Sequence, residues 1–301
     1  MKPELLRPSD PVSLVAPAGP FDRESFEVGL RVLSSRYSPR LDDSLFSAHR
    51  YLAGDDARRL TELLDAFRSP ESRAVFCVRG GYGVMRLLPR IDFDALPLKP
   101  LIGFSDITAL HLALQSRGRV SFHAPVMTQL GRSGADVVER LWQLLERDVP
   151  APSLQGTEAY VEGAVEGRLI GGNLSVFSRL IGTPWMPDLT GAVLLLEDVG
   201  ERPYRLDRMW THLQLAGVFE KVRGIVLGEF TSCEEKGAAY SSSDILRELA
   251  RESGLPCAAG FPIGHGQVNQ PVPLGVRVRL DASAMTLTFL ESAVEESRSA
   301  A

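Results

Sequence analysis

Short apolar runs and amphipathic stretches alternate through the first half of the chain. Val12–Ala16 is a largely apolar run that stops at the turn cluster Pro17-Ala18-Gly19-Pro20, the pattern of a buried strand. A helical stretch follows over Arg23–Leu33. Asp55–Phe67 has acidic residues at its start and apolar residues at helical spacing, which predicts a helix. Ala74–Val78 reads as a strand and runs straight into Arg79-Gly80-Gly81-Tyr82-Gly83. Leu101–Phe104 is a further strand, running into Ser105-Asp106, with a helix predicted over Ile107–Leu114. Val120–Phe122 reads as a strand and Ala135–Glu146 as a helix. Alternation of this kind implies an α/β fold with a parallel sheet and helices on both faces.

The pattern changes after Asp148–Gly156, a stretch rich in Pro, Ser and Gly. Beyond it, Ala164–Ile170 reads as a strand, and Gly171-Gly172-Asn173 precedes an apolar helix ending at Leu180. Val193–Glu197 and Gly224–Phe230 are strand-like, Tyr204–Gly217 and Asp244–Arg251 are helical, and Val276–Leu280 with Met285–Leu290 predicts a hairpin. We therefore expect a first domain over residues 1–150, a linker over 151–163, a second mixed α/β domain over 164–292 and a flexible tail over 293–301.

Composition narrows the function classes. The chain has 301 residues, 44% hydrophobic and 24% charged, enough to bury a sizeable core. Its 33 Lys and Arg against 38 Asp and Glu give a net charge of −5, which argues against a nucleic-acid partner because no basic excess is available for phosphates. The three cysteines are scattered and show no CxxC spacing, so neither a disulfide framework nor a cysteine-rich zinc site is expected. No HExxH motif is present, and no metal or organic cofactor is expected. No apolar run reaches the roughly 20 residues of a membrane span, and no signal-peptide pattern opens the chain. The expected setting is soluble and cytoplasmic, with no membrane partner.

The sharpest local chemistry is Gly103-Phe104-Ser105-Asp106, where a buried strand meets the start of a helix. A serine there fits two roles. It caps a helix N-terminus, or it projects a nucleophilic hydroxyl above the sheet, as in a nucleophile elbow, although Ile107 stands where the G-x-S-x-G pattern wants glycine. A nucleophile needs a base. Of the five histidines, His111 and His212 fall inside helices and His49 lies in a charged loop. His123, at a strand end, and His265, in the glycine-flanked loop Pro262-Ile263-Gly264-His265-Gly266-Gln267, remain. Glu197 or Asp198, at the end of an apolar strand, is a candidate to orient the imidazole, since a carboxylate there needs a partner. The glycine-rich turn after Arg79 exposes backbone N–H groups suited to an oxyanion.

Seven segments carry a wider resemblance: VAPAGP (15–20), CVRGGYGVMRLLPRID (77–92), LIGFSDITALH (101–111), GGNLSVFSRLIGTPWMP (171–187), LLLEDVGERPYRLDRMW (194–210), KVRGIVLGEF (221–230) and FPIGHGQVNQPVPLG (261–275). In this order, over nearly the whole chain, they resemble the LD-carboxypeptidases of the S66 serine-peptidase family, which also contains the microcin C immunity peptidases. The resemblance implies a flavodoxin-like N-terminal domain, similar to class I glutamine amidotransferases, plus a C-terminal swivelling β/α domain. It also implies a catalytic triad of Ser105, Glu197 and His265 across the domain interface, with the backbone N–H groups of Gly81 and Asp106 as the oxyanion hole. His123 then becomes a residue of the site wall or one standing behind it.

The implied reaction removes a C-terminal D-amino acid from an L,D-peptide such as the murein tetrapeptide, during cell-wall recycling, by a homodimer. A terminal carboxylate calls for a cation, and Arg79 and Arg202 are the candidates on this reading. Two alternatives stand beside it. One is an immunity-type peptidase acting on peptidyl-nucleotide analogues, which would want an aromatic stacking surface. The other is a binding protein on the same fold without catalysis.

Overall fold

The computed structural model describes residues 1–296. In the first part β1 (Pro11–Val15), α1 (Arg23–Ser34), β2 (Ser38–Arg40), α2 (Asp56–Arg68), β3 (Ala74–Cys77), β4 (Leu101–Gly103), α3 (Thr108–Gln115), β5 (Ser121–His123), α4 (Met127–Leu130) and α5 (Ala135–Glu146) follow one another. Their five strands pair in parallel in the order β2-β1-β3-β4-β5. That is the flavodoxin-like order, which places binding groups at the carboxyl ends of the strands. β3, β4 and β5 are buried at every position, which explains why they read as unbroken apolar runs rather than as alternating ones.

The second part contains β6 (Leu154–Gln155), β7 (Glu158–Val161), β8 (Ala164–Asn173), α6 (Leu174–Leu180), β9 (Val193–Val199), α7 (Pro203–Leu215), β10 (Gly224–Thr231), α8 (Ser242–Ser253), β11 (Cys257–Ala259), β12 (Val272–Leu274), β13 (Arg277–Asp281) and β14 (Thr286–Phe289). An eight-stranded sheet runs β6-β14-β13-β8-β9-β10-β11-β7. Its centre, β8 to β11, is parallel, and antiparallel strands close both sides. The expected terminal hairpin is β13 with β14.

Three features differ from the sequence reading. The stretch expected as a linker carries β6 and β7, two short strands of the second sheet. β12 leaves the second part and pairs antiparallel with β5, at the edge of the first sheet. The chain remains packed past residue 292: Ala293 and Val294 are buried, and Leu5 donates its N–H to the Glu295 carbonyl, while 297–301 of the expected tail lie outside the described residues.

The two parts share a core. Phe104, Ile107 and Leu110 of the first pack in one apolar cluster with Ile170, Leu174 and Phe177 of the second. At the same seam the Thr108 hydroxyl accepts the N–H of Asn173 at 3.1 Å. Arg140 of α5 reaches across as well, donating to the carbonyls of Pro271 (2.9 Å) and Pro152 (2.8 Å). Among the described residues no helix is long and apolar enough to cross a membrane.

Candidate active site

Ser105 sits two residues past the end of β4, at the start of a 3-10 turn over Ser105–Ile107. Its φ is +66°, in the left-handed region that a non-glycine residue rarely adopts. The residue in the cap position is Phe104, so the serine hydroxyl is not spent as a cap. It lies instead 3.0 Å from Nε2 of His265. Gly80, on the neighbouring β3 loop, permits this position. A methyl group there would stand 2.7 Å from Cβ and 2.9 Å from Oγ of Ser105.

His265 arrives from the loop between β11 and β12. Its Nδ1 lies 2.6 Å from Oε2 of Glu197, which β9 presents from its carboxyl end and which is fully buried. Gly264 has φ +123°, and a Cβ there would lie 2.5 Å from Oε2 of Glu197, so both backbone shape and space demand glycine. The Gly264 N–H is held by Oδ1 of Asn269 at 2.9 Å, which closes the loop on itself. Burial pushes the Glu197 carboxyl up, and the hydrogen bond and charge of His265 pull it back. Asp198, the other candidate orienter, points elsewhere. Its carboxylate accepts from Asn173 Nδ2, the Ser175 N–H and the Ser175 hydroxyl, and so pins the start of α6.

The glycine turn and the serine turn are fastened together. The buried Asp106 carboxylate accepts the Val84 N–H at 2.9 Å, and burial raises its pKa to about 6 against the pull of that bond and of Arg59. Gly81, Phe104, Ser105, Val126 and His265 line a cavity of about 410 Å³ whose rim carries Arg79, Gln129, Arg132 and Val199. A second cavity of about 310 Å³ shares Gln129 and Arg132 and continues beneath Gly266, Gln267 and Asn269. A larger hollow of about 730 Å³, near Arg40, Arg58 and Glu62, contains none of these groups. Among the described residues no cluster of His, Cys, Asp and Glu fit to hold a metal ion occurs.

The other expected site residues divide. Arg79 lines the cavity, and its guanidinium donates to the Pro20 carbonyl. Arg202 does not belong there. It is 63% exposed and its nearest acid is Glu235, at 3.9 Å. His123 stands behind the wall rather than in it: it is fully buried, its backbone paired to Gly103 and Val272 on either side, with the cavity-lining Phe104 packed against its ring. Gln129 and Arg132 were not anticipated. Gln129 lies in the four-residue helix α4 and Arg132 just after it, and nothing local sets Arg132 apart from the other surface arginines.

His111 supports the site from behind. Its Nε2–H donates to the Gly103 carbonyl at 2.8 Å and its Nδ1 accepts the Ser121 hydroxyl at 2.9 Å. Burial lowers its pKa from 6.5 to about 4. The unfolded chain takes up this proton near pH 6.5 and the folded chain only near 4. His111 therefore removes stability as pH falls through that window, by up to about 3 kcal/mol. His123 acts in the same direction, and Asp106 in the opposite one. We expect the His111→Gln variant to lose less stability than wild type between pH 6.5 and pH 4 in chemical denaturation. Parallel losses would refute the assignment.

Known proteins share this architecture. Residues 12–124 match the family model described as the LD-carboxypeptidase N-terminal domain, and residues 166–280 match the LD-carboxypeptidase C-terminal domain. The murein tetrapeptide carboxypeptidase of Pseudomonas aeruginosa is 36% identical over 293 residues, covering 91% of this chain and 94% of that protein. The microcin C7 self-immunity protein MccF of Escherichia coli is 26% identical over 276 residues, 80% of each chain. The crystal structure of muramoyltetrapeptide carboxypeptidase from Oxalobacter formigenes superposes with a TM-score of 0.82 at 29% identity, covering 93% of this chain and 97% of that one.

Proposed function

Since the chain belongs to the S66 LD-carboxypeptidase family of serine-type hydrolases, we propose that it removes the C-terminal D-alanine from murein tetrapeptide through an acyl-enzyme. The observation that carries this reading is the unbroken relay from Ser105 Oγ through His265 to Glu197, with spacings of 3.0 and 2.6 Å, opening on a cavity. A neutral serine hydroxyl is a weak nucleophile, and a hydrogen-bonded imidazole is the group that makes it a strong one.

In the first half-reaction Oγ of Ser105 attacks the carbonyl carbon of the L,D bond while its proton passes to Nε2 of His265. The tetrahedral oxyanion is met by the N–H groups of Gly81 and Asp106. Glu197 keeps Nδ1 protonated and stabilises the imidazolium. Collapse breaks the C–N bond, and Nε2 returns the proton to the departing amine. In the second half-reaction His265 takes a proton from water, the hydroxide oxygen attacks the seryl ester, and Ser105 regains its hydrogen. No metal takes part in these steps.

We place the reaction in the cytoplasm, within wall recycling. Three free, buried cysteines, Cys77, Cys233 and Cys257, fit a reducing compartment. An immunity-type activity on peptidyl nucleotides is less well supported, because a nucleobase wants a flat aromatic surface. Among the described residues Phe104 is the one aromatic lining the Ser105 cavity besides His265, and it is already packed against His265 at 4.6 Å.

Mass spectrometry of murein tetrapeptide incubated with the purified protein tests the proposal. Loss of a single D-alanine is expected. An intact peptide, with cleavage of an aminoacyl sulfamoyl nucleoside instead, would transfer the assignment to the immunity-type reaction. No turnover of either would leave a binding role.

A further inference from the structure

A peptidase that releases only the last residue must sense the free carboxylate, because the amide bond alone does not mark the end of a chain. Covalent geometry restricts where that sensor stands. The terminal carboxylate is two bonds from the scissile nitrogen, which puts its oxygens about 3–4 Å away. The same nitrogen must receive its proton from Nε2 of His265 at a distance of about 3 Å. The sensor therefore belongs on the side of the cavity where His265 and its loop stand.

Among the described residues two arginines line the Ser105 cavity, Arg79 and Arg132. Arg79 adjoins the Gly80-Gly81 turn, on the side read as the oxyanion hole, and its guanidinium is engaged by the Pro20 carbonyl. Arg132 lines both cavities, and the second one extends beneath Gly266, Gln267 and Asn269, the residues that follow His265 in its loop. Its charge is not committed to a close ion pair, although it acts on the Asp22 carboxylate from a distance. Among the described residues Arg132 makes no ion pair within 4.0 Å. Its hydrogen bonds are two long ones from Nη2, to Thr128 O at 3.3 Å and to Ser25 Oγ at 3.4 Å. Beside it Gln129 lines the same two cavities, and its Oε1 is buried without a hydrogen-bond partner.

We infer that Arg132 reads the terminal carboxylate of the departing amino acid, with the Gln129 amide as its neighbour, and so makes the enzyme an exopeptidase. The inference rests on the carboxypeptidase reading above. A guanidinium offers a planar fork of donors that matches a carboxylate with two parallel hydrogen bonds. Its remaining donors are free for this. Gln129 presents both an acceptor and an amide donor to the same ligand. Arg132 takes no proton and touches no reacting atom. Its role is specificity, and its loss acts chiefly on KM.

The test compares two tetrapeptides of one sequence, one ending in D-alanine and the other in D-alaninamide, with wild type, Arg132→Gln, Arg132→Lys, Arg79→Gln and Arg202→Gln. Wild type is expected to favour the free acid by at least about 10²-fold in kcat/KM, mostly through KM. Arg132→Gln should bring that ratio close to one, and Arg132→Lys should restore part of it. Arg79→Gln and Arg202→Gln should both keep the preference. The inference is overturned if Arg132→Gln keeps the preference, or if Arg79→Gln abolishes it. Equal cleavage of acid and amide by wild type also overturns it, while leaving the peptidase reading intact. Cleavage of neither peptide by wild type removes the carboxypeptidase reading and the inference with it.

Discussion

Replacing Ser105 by alanine should lower kcat/KM on murein tetrapeptide by about 10⁴- to 10⁶-fold with the fold unchanged. The reason is the division of labour at the site. The oxygen of Ser105 is the only group there positioned both against Nε2 of His265 and above the cavity. Without it His265 can at best activate a water molecule that nothing holds at the carbonyl carbon, and only binding and the oxyanion donors remain, which sustain a small residual rate. The fold should not suffer. The hydroxyl caps no helix, and its removal leaves a ring nitrogen that is partly accessible to water. Steady-state kinetics beside a thermal melt checks both halves. A loss of less than about tenfold with an unchanged melt would remove Ser105 from the nucleophile's role. Covalent chemistry supplies a second check, since an acyl-enzyme trapped at low pH should appear as a mass increase on wild type and be missing from the alanine variant.

Glu197→Gln should cost about 10³- to 10⁴-fold in kcat. The amide keeps the volume, so Gly264 and the loop it starts need not move. What disappears is the negative charge 2.6 Å from Nδ1. An amide can also present its NH₂ to that nitrogen, which selects the tautomer with the proton on Nε2 and leaves the serine facing a donor instead of a base. Stability should move the other way. Glu197 is fully buried and its Oε1 has no hydrogen-bond partner, so an ionised carboxylate there is costly to desolvate. We expect the melting temperature of the glutamine variant to stay level or rise as activity falls. A variant with most of its activity retained would show that the buried acid is structural. The opposition of the two effects is what separates a group kept for reactivity from one kept for packing.

How far the site could be read in the sequence depends on the scale of each signal. The parallel strands are legible because burial on both faces leaves unbroken apolar runs such as Val193–Leu196. Ser105, Glu197 and His265 are legible because each ends or follows such a run beside glycine-containing or acidic turns, and the resemblance singles them out together. The strand β12 is not legible. It is three residues long with a proline at its centre, Pro273, which a sheet tolerates at an edge and seldom inside. That omission also explains why the sequence leaves His123 open between the site wall and a place behind it. It stands at the end of β5, a place that looks like an open rim until β12 is laid beside it. Arg132 is beyond local reading for a different reason. Its meaning comes from two cavities that meet only after α4 and the His265 loop have been brought together.

The crossing of β12 into the first sheet also orders events in time. Strand five of that sheet is complete by His123, yet the neighbour that covers it is made some 150 residues later, directly after the loop that bears His265. During synthesis Ser105 is therefore in place long before His265, and His265 is in place just before the strand that straps its loop to the sheet bearing Ser105. A chain that stops short of this point holds Ser105 without the group that deprotonates it. On the proposed mechanism a chain stalled before β12 is inert, because Ser105 and His265 are strapped together only once that strand pairs with β5.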